Sequence, residues 1–434
     1  MIRNFCILVL IIVGQCCLVA QDSLITNQFE DVVISATRIN TEVLSSPLTV
    51  HQIKPSESLS FQAQSLRQLT NTTPGLYFTN QFNAAQDLRI SIRGFGARSA
   101  FGIRGVRIMM DGIPLSTPDG QGQVDQIFSG TIKNIELLNG SASAMWGNAS
   151  GGVINLSTFS EEPTDNDWLT LSYGSFKTLQ IASEFNSTIK GAHVTQQVSY
   201  VQTDGYRAHS SSKNFIYNGR VAKKIGERSE IQLLVNGLIS PEGQDPGGIN
   251  IDDVALDRVQ ARVQNLSFNG GEEVNQITTA LKYKKNIGNL SSFNVSAFFT
   301  HRDFGNRLPF TNGGQVDLLR NYGGLITQYS RKVVKGEWVS EFAGGIDFLF
   351  QNDGRKRFNN NEGERGTLTL DQNEIFNNQA AYITARSTYN KLNFLAGLRY
   401  DRNLIQLKDQ FNDDGNQDGS TFLNSLSPSL SWSY

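Results

Sequence analysis

Cysteine is absent after residue 17: Cys6, Cys16 and Cys17 all lie near the N-terminus. Disulfides and thiol chemistry are thereby excluded from the rest of the chain. Charged residues are scarce, 18% of 434, and nearly balanced at a net charge of −2. That leaves no basic footprint for nucleic acid. Only four histidines occur, His51, His193, His209 and His301, and they do not fall at metal-ligand spacing. Beyond the N-terminus no apolar run approaches the roughly 18 residues of a spanning helix, which excludes a helical membrane protein. Disorder is excluded too, because it needs high charge and few aromatics, whereas aromatics here reach 10% with 26 Phe. What fills the chain is Asn, Gln, Ser, Thr, aromatic residues and 40 Gly. A polar, glycine-rich, aromatic-rich chain fits a large all-β protein. It fits a transmembrane barrel best, since only alternate residues of such a barrel face lipid.

The N-terminus reads as a secretory signal peptide over residues 1–20. Arg3 supplies the positive start, Phe5 to Val13 is almost unbroken apolar sequence, and Ala20 precedes the polar Gln21-Asp22. A lipoprotein site at Cys16 or Cys17 is disfavoured, because Gln15 and Cys16 stand where a small residue is needed.

Two textures follow. From about 21 to 160 the sequence is mixed. A helical spacing of Leu59, Phe61, Leu66 and Leu69 spans Ser58 to Leu69 and stops at Asn71 and Pro74-Gly75. Short strands are predicted at Leu88 to Arg93, Val106 to Met110, Ile132 to Leu138 and Gly152 to Thr158. From Asp167 the pattern becomes long period-two alternation. Leu169, Leu171 and Tyr173 alternate with Thr170, Ser172 and Gly174, and Ile346, Phe348 and Phe350 oppose Glu341, Asp347 and Gln351. Leu426, Leu430, Trp432 and Tyr434 oppose serines. Such strands have one apolar and one polar environment, and their length suits a tilted bilayer crossing. Asn186 to Gly191 and Asn286 to Asn289 read as tight turns. Ser240 to Gly271, Asp303 to Arg320 and Asn352 to Asn373 read as long polar loops. Short turns at one end and long loops at the other are the outer-membrane pattern, with about twelve strands. The fold class is mainly β: an N-terminal α+β domain at 39–160, then antiparallel transmembrane strands over 167–434.

Four segments of the first domain belong together. They are Glu30 to Arg38; Ser65-Leu66-Arg67-Gln68-Leu69 with Pro74-Gly75-Leu76; Leu88 to Phe95 followed by Val106 to Ile108 and Asp111-Gly112-Ile113-Pro114; and Ile132 to Thr158, with Ile135 to Gly140, Trp146-Gly147 and Gly151 to Asn155. In this order and spacing they resemble the plug domain of TonB-dependent outer-membrane receptors. Asp245-Pro246-Gly247-Gly248 in the barrel region resembles a loop element common there. The resemblance implies an energised receptor. It would sit in the outer membrane, bind a scarce extracellular solute, foremost a ferric chelate, and import it with no bond-making chemistry, no cofactor and no resident metal. The partner would be a TonB-type energy-transducing protein of the inner membrane. A TonB-box-like segment at 28–38 is implied, carried by Glu30, Asp31, Val32, Val33, Ile34, Ser35 and Ala36. From the residues alone this apolar segment, with no partner strand nearby, is equally an ordinary first strand of the plug or an edge strand for another protein.

Ligand contacts are expected on two plug loops, through Arg98, Phe101 and Arg104 in one and Asp119 and Gln121 in the other. Two solvated loop arginines are the plain alternative. Arg93 is expected either to sit solvated at a strand end or to lock the plug to an inward barrel carboxylate, Glu184 or Glu341. The family's usual Leu-Arg-Gly-Pro reads Leu138-Asn139-Gly140-Ser141 here, so one expected arginine is missing. Asn412 to Gly419 resembles a calcium loop but lacks its spacing and terminal Glu, and reads as a polar turn. Gly94-Phe95-Gly96 is followed by no helix and is not a dinucleotide loop. The competing readings are a passive or enzymatic twelve-stranded barrel and a secreted β-rich adhesin. Finally, a plug about 30 Å across does not fit a twelve-stranded lumen, since plugged transporters use about 22 strands. The barrel is therefore expected to be incomplete.

Overall fold

The computed structural model describes residues 33–34, 37–39, 41–42, 46–56, 63, 65–86, 88–99, 101–160, 162, 164–411, 413 and 415–434. The expected signal peptide, and Glu30, Asp31, Val32, Ser35 and Ala36, lie outside them. So does half of the expected helix from Ser58 to Leu69. A helix α1 is present at Leu66–Thr70.

The first domain is built on a mixed sheet. Its strands are β3 (Thr49–Ile53), β8 (Asn134–Asn139), β9 (Gly152–Ser157), β6 (Val106–Met110) and β7 (Ile113–Pro114), in that spatial order. β6 and β9 run parallel and the other neighbours antiparallel. Strands β8, β9 and β6 are buried on both faces, so they are mainly apolar and do not alternate, whereas the edge strand β3 is half-exposed. On one face Ile108, Ile135, Leu137, Ile154 and Leu156 pack on Leu66 and Leu69 of α1, and on Ile90 and Ile92 of the hairpin β4 (Leu76–Thr79) and β5 (Arg89–Ile92). On the other, Met109, Leu138 and Val153 meet Ala142, Met145 and Ala149 around the short helix α2 (Ser143–Trp146). Val33–Ile34 (β1) pairs with Thr41–Glu42 (β2). The segment that seemed to lack a partner strand thus finds one eight residues on.

The second region is a single antiparallel meander of twelve strands, β10 (Trp168–Gly174) through β21 (Gly419–Ser433), each paired with the next. Among the described residues β10 and β21 pair on one side only. Alternation decides the faces. Ile346, Phe348 and Phe350 are 47%, 47% and 43% exposed, while Asp347 and Gln351 are 3% and 4% exposed against the plug side. The apolar face is therefore the outer one, as lipid demands. At one end the connections are tight. Lys190-Gly191, for example, reverses the chain with both residues at positive φ, 50° and 74°, the twist a two-residue hairpin requires.

The other end differs from the sequence reading. Strands β18 (Trp338–Asn361) and β19 (Glu364–Tyr389) run 24 and 26 residues, joined only by Glu362-Gly363. The stretch from Asn352 to Asn373 is thus continuous ladder, not loop. Likewise β16 ends at Arg307 and β17 starts at Gln315, which shortens the loop expected from Asp303 to Arg320. The physical reason is that a ladder satisfies its backbone in water as well as in lipid. Once both faces are wet, the polar contrast that reveals period two disappears while the strand continues. The 245–270 connection does hold a long loop, with helices at Ile251–Leu256 (α3) and Val263–Ser267 (α4).

The plug docks on the inner face of the meander. Ile113 and Phe159 pack among Leu234, Ala280, Phe298, Tyr322 and Leu349, and Phe128 among Ala182, Ile216, Leu238 and Val274. α2 lies against β19, β20 (Leu392–Asp409) and β21. Gly397 of β20 permits that approach, since a Cβ there would stand 3.1 Å from Ala144 Cβ and 2.9 Å from Ser429 Oγ.

Candidate functional site

Two parts of the plug–wall interface stand out. The first is a charged clamp at Arg38, the last residue of the segment expected at 28–38. Arg38 has a positive φ of 61° and is 6% exposed. Its Nη2 meets Asp347 Oδ2 at 2.7 Å, and its guanidinium lies between the rings of Trp146 and Tyr382, 4.0 Å from each centroid. Gln328 Nε2 donates to the Arg38 carbonyl at 2.8 Å. Asp347 also receives Arg399 Nη1 at 2.7 Å, and Arg399 pairs with Asp401 at 3.0 Å. Arg399 reaches back to the plug at the Met145 carbonyl, 3.4 Å away. Burial disfavours the charged form of Arg38, but the Asp347 carboxylate outweighs it and raises the pKa above its ordinary value. Arg107 of β6 shares this region. Its charge has no carboxylate within ion-pair distance among the described residues, and burial, aided by repulsion from Arg399, lowers its pKa to about 10.

More plug–wall contacts run along the interface. Arg302 pairs with Asp125 at 2.6 Å, and Lys282 donates to the Asp111 carbonyl at 2.8 Å. Asp111 itself accepts from the amide and hydroxyl of Thr158 at 2.8 and 2.7 Å. Desolvation wins at its carboxyl and raises the pKa.

The lock expected from Arg93 is built differently. Arg93 sits in a left-handed turn, φ 49°, and donates to Thr49 Oγ1 of the plug's own β3 at 3.4 Å. Among the described residues it makes no ion pair. Glu184 does meet the plug, but through Lys133 at 3.5 Å. Glu341 pairs with Lys332 across the ladder at 3.9 Å. Asn139, where the arginine is missing, donates to the Pro74 carbonyl at 3.4 Å and so ties plug to plug. Of the expected ligand residues, the structure joins Arg104, Asp119 and Gln121. Arg104 pairs with Asp119 at 3.3 Å, the Asp119 amide donates to Gln351 Oε1 at 3.1 Å, and Gln121 Oε1 accepts from Arg320 at 3.3 Å. Burial raises the Asp119 carboxyl pKa, but Thr117, Arg320 and Arg104 together pull it below the ordinary value. Arg98 and Phe101 are exposed and stand apart.

The second part is a cavity of ≈ 680 Å³ between the plug and the wall of β11 to β15. Plug residues Ser65, 80–84, 86 and 124–129 (apart from Gln126) line it, with Phe176, Gln180, Tyr206, Arg207, Asn214 and Glu272 among those opposite. Asp245 fixes one border, accepting from Asn83 at 2.8 Å and Gln86 at 3.2 Å. Neither Arg98 nor Arg104 lines it. Sequence reasoning missed both parts. The only signal for the clamp was a carboxylate, Asp347, at an inward position amid an apolar run.

The comparisons with known proteins agree with this architecture. A family model for the TonB-dependent receptor plug domain matches residues 42–153. The vitamin B12 transporter BtuB of Vibrio vulnificus (strain CMCP6) is 27% identical over 150 residues, 34% of this chain and 23% of that protein. The ferric enterobactin receptor of Pseudomonas aeruginosa is 30% identical over 108 residues, 21% of this chain and 14% of that protein. Among solved structures, the ferric citrate transporter FecA in its unliganded form aligns with a TM-score of 0.77 at 19% identity. That alignment covers 90% of this chain and 61% of the FecA chain. The alcaligin receptor FauA of Bordetella pertussis aligns at 0.69, with 13% identity, 93% of this chain and 63% of that one. The chain thus spans under two thirds of the length of each of these proteins.

Proposed function

We propose that the chain works as a TonB-dependent outer-membrane receptor and not as an enzyme, a reading supported by its match to the plug-domain family and by its fold. It resides in the outer membrane, binds an extracellular small solute at the long-loop end, and releases it inward when a TonB-type protein pulls on the segment before Arg38. The observation that carries this reading is the clamp. Arg38 lies between the paired strands β1 and β2, so tension that unzips β1 from β2 falls next on the Arg38–Asp347 pair. Withdrawing Arg38 leaves Asp347 to Arg399 and takes the stacked cation from Trp146 of α2. The plug's helix then loses part of its grip on β19–β21, and a path opens along the wall. A buried ion pair suits such a latch, because removing one partner is far costlier than separating a solvated pair.

The relatives' names point to ferric citrate, ferric enterobactin and cobalamin as cargo classes. Arg98 and Arg104 are the cations available for a chelate anion, at the loop and not in the cavity. The test of the reading is deletion of Glu30 to Ala36. Import should vanish while surface binding of the solute persists; unchanged import would refute the coupling role.

A further inference from the structure

The cavity's lining is chemically selective. Its charged members are Asp125, Glu272 and Arg207. Asp125 is neutralised by Arg302. Arg207 spends its guanidinium on the carbonyls of Pro246, Gly247 and Gln260, stapling the neck of the 245–270 loop. Among the described lining residues Arg207 is therefore the cation without a carboxylate partner, and carbonyl hydrogen bonds hold its guanidinium at the loop neck. A chelate carboxylate entering here would lose its hydration for at most that one tethered charge, beside the Glu272 carboxylate.

What the lining offers is side-chain amides, hydroxyls and aromatic faces. Two buried polar atoms there have no hydrogen-bond partner, Gln81 Oε1 and Ser65 Oγ. Buried polar groups are normally satisfied; each of these atoms is shut off from the cavity as it stands, and a side-chain rotation toward a ligand in the cavity would supply the missing partner. Phe82 is 69% exposed at the rim. Across from it Phe176 and Tyr206 pack edge to face, 5.6 Å between centroids. An amide both donates and accepts, as does a hydroxyl, and an aromatic face covers the C–H side of a sugar ring. A volume of ≈ 680 Å³ lies within the roughly 300–1,000 Å³ of small-molecule sites.

Resting on the receptor reading above, we propose that this cavity takes a neutral, polyhydroxylated solute, a short oligosaccharide, and not a ferric chelate anion. Gln81 and Ser65 accept from and donate to its hydroxyls, and Phe82 with Tyr206 covers its ring faces. The loop pair Arg104–Asp119 then belongs to the plug's docking on the wall and not to ligand charge.

The test is isothermal titration of the purified full chain in detergent. The probes are neutral gluco-, xylo-, manno-, galacto- and chito-oligosaccharides of two to four units, with ferric citrate and ferric enterobactin in parallel. The expected result is saturable binding of one sugar series, weakened about tenfold by Gln81→Ala and by Phe82→Ala, and unmoved by Arg98→Ala with Arg104→Ala. Far-ultraviolet circular dichroism of each variant keeps loss of fold apart from loss of contact. Binding of a ferric chelate that falls in the double arginine variant overturns the proposal, as does a folded protein that binds none of the sugars. Import by cells lacking Glu30 to Ala36 separates the two levels. A bound chelate whose import needs that segment sinks the sugar site and leaves the receptor reading standing. A bound sugar whose import ignores the segment does the reverse.

Discussion

The wall of β17–β20 and the wall of β11–β15 present the same alternating strands to the same plug, yet they meet it differently. Toward β17–β20 the inward positions carry Asp347, Arg320, Asp353, Arg399 and Asp401, a buried set of ion pairs that the plug joins through Arg38. Toward β11–β15 they include Thr178, Gln180, Ser212 and Asn214, and the contact opens into a cavity. The difference shows that period two only assigns a face. Whether that face grips or receives depends on which polar residues occupy it. Paired charges forfeit their hydration and must interlock, whereas amides and hydroxyls tolerate water or a ligand between them.

The largest blow to this contrast should come from Asp347→Asn. It leaves Arg38 and Arg399 buried around a neutral amide, for an expected loss of about 3–5 kcal/mol in plug docking. Faster proteolysis of the chain near Arg38 would report it, and an unchanged cleavage rate would remove the clamp's importance. Arg38→Lys keeps the charge but loses the planar guanidinium between Trp146 and Tyr382, so the expected loss is smaller, about 1–2 kcal/mol.

Acid should act more gently and at one place. Asp119 has its folded pKa lowered, so its contribution is present above the ordinary carboxylate value and is lost as pH falls through the folded one. Protection factors of the Asp119 and Gln121 amides, taken relative to intrinsic exchange at each pH, should fall below about pH 4 while those of the β6 and β9 amides hold. On the receiving side, Phe82→Ala should change stability by no more than about 0.5 kcal/mol, since its ring is exposed. A larger shift in thermal unfolding would mean that Phe82 is structural.

Much of this was legible in the residues. The alternation of Ile346, Phe348 and Phe350 against Asp347 and Gln351 gives the outer and inner faces from the residues alone, and Val106–Met110 matches to the residue because this doubly buried strand is apolar except at Arg107. The strand ends of β18 and β19 were not legible, because polarity marks departure from the membrane and not the end of a ladder. Of the two readings open for Arg93, the structure shows the solvated strand end and not the lock, and the residues left both open for a related reason. A strand-end arginine shows its charge in the sequence but not its direction, and the left-handed turn sends it to Thr49. Arg38 was read only as the end of a segment, since nothing local announces a partner 309 positions away.

The most direct measurement uses the lack of cysteine beyond residue 17. Arg38→Cys and Asp347→Cys, introduced together, can be bridged by a short, cleavable thiol-reactive linker on intact cells. If import requires release of the segment at the clamp, the bridged protein should bind its solute as the unbridged one does but import none, and cleaving the linker should restore transport. Import by the bridged protein at the unbridged rate would contradict the clamp as the release point.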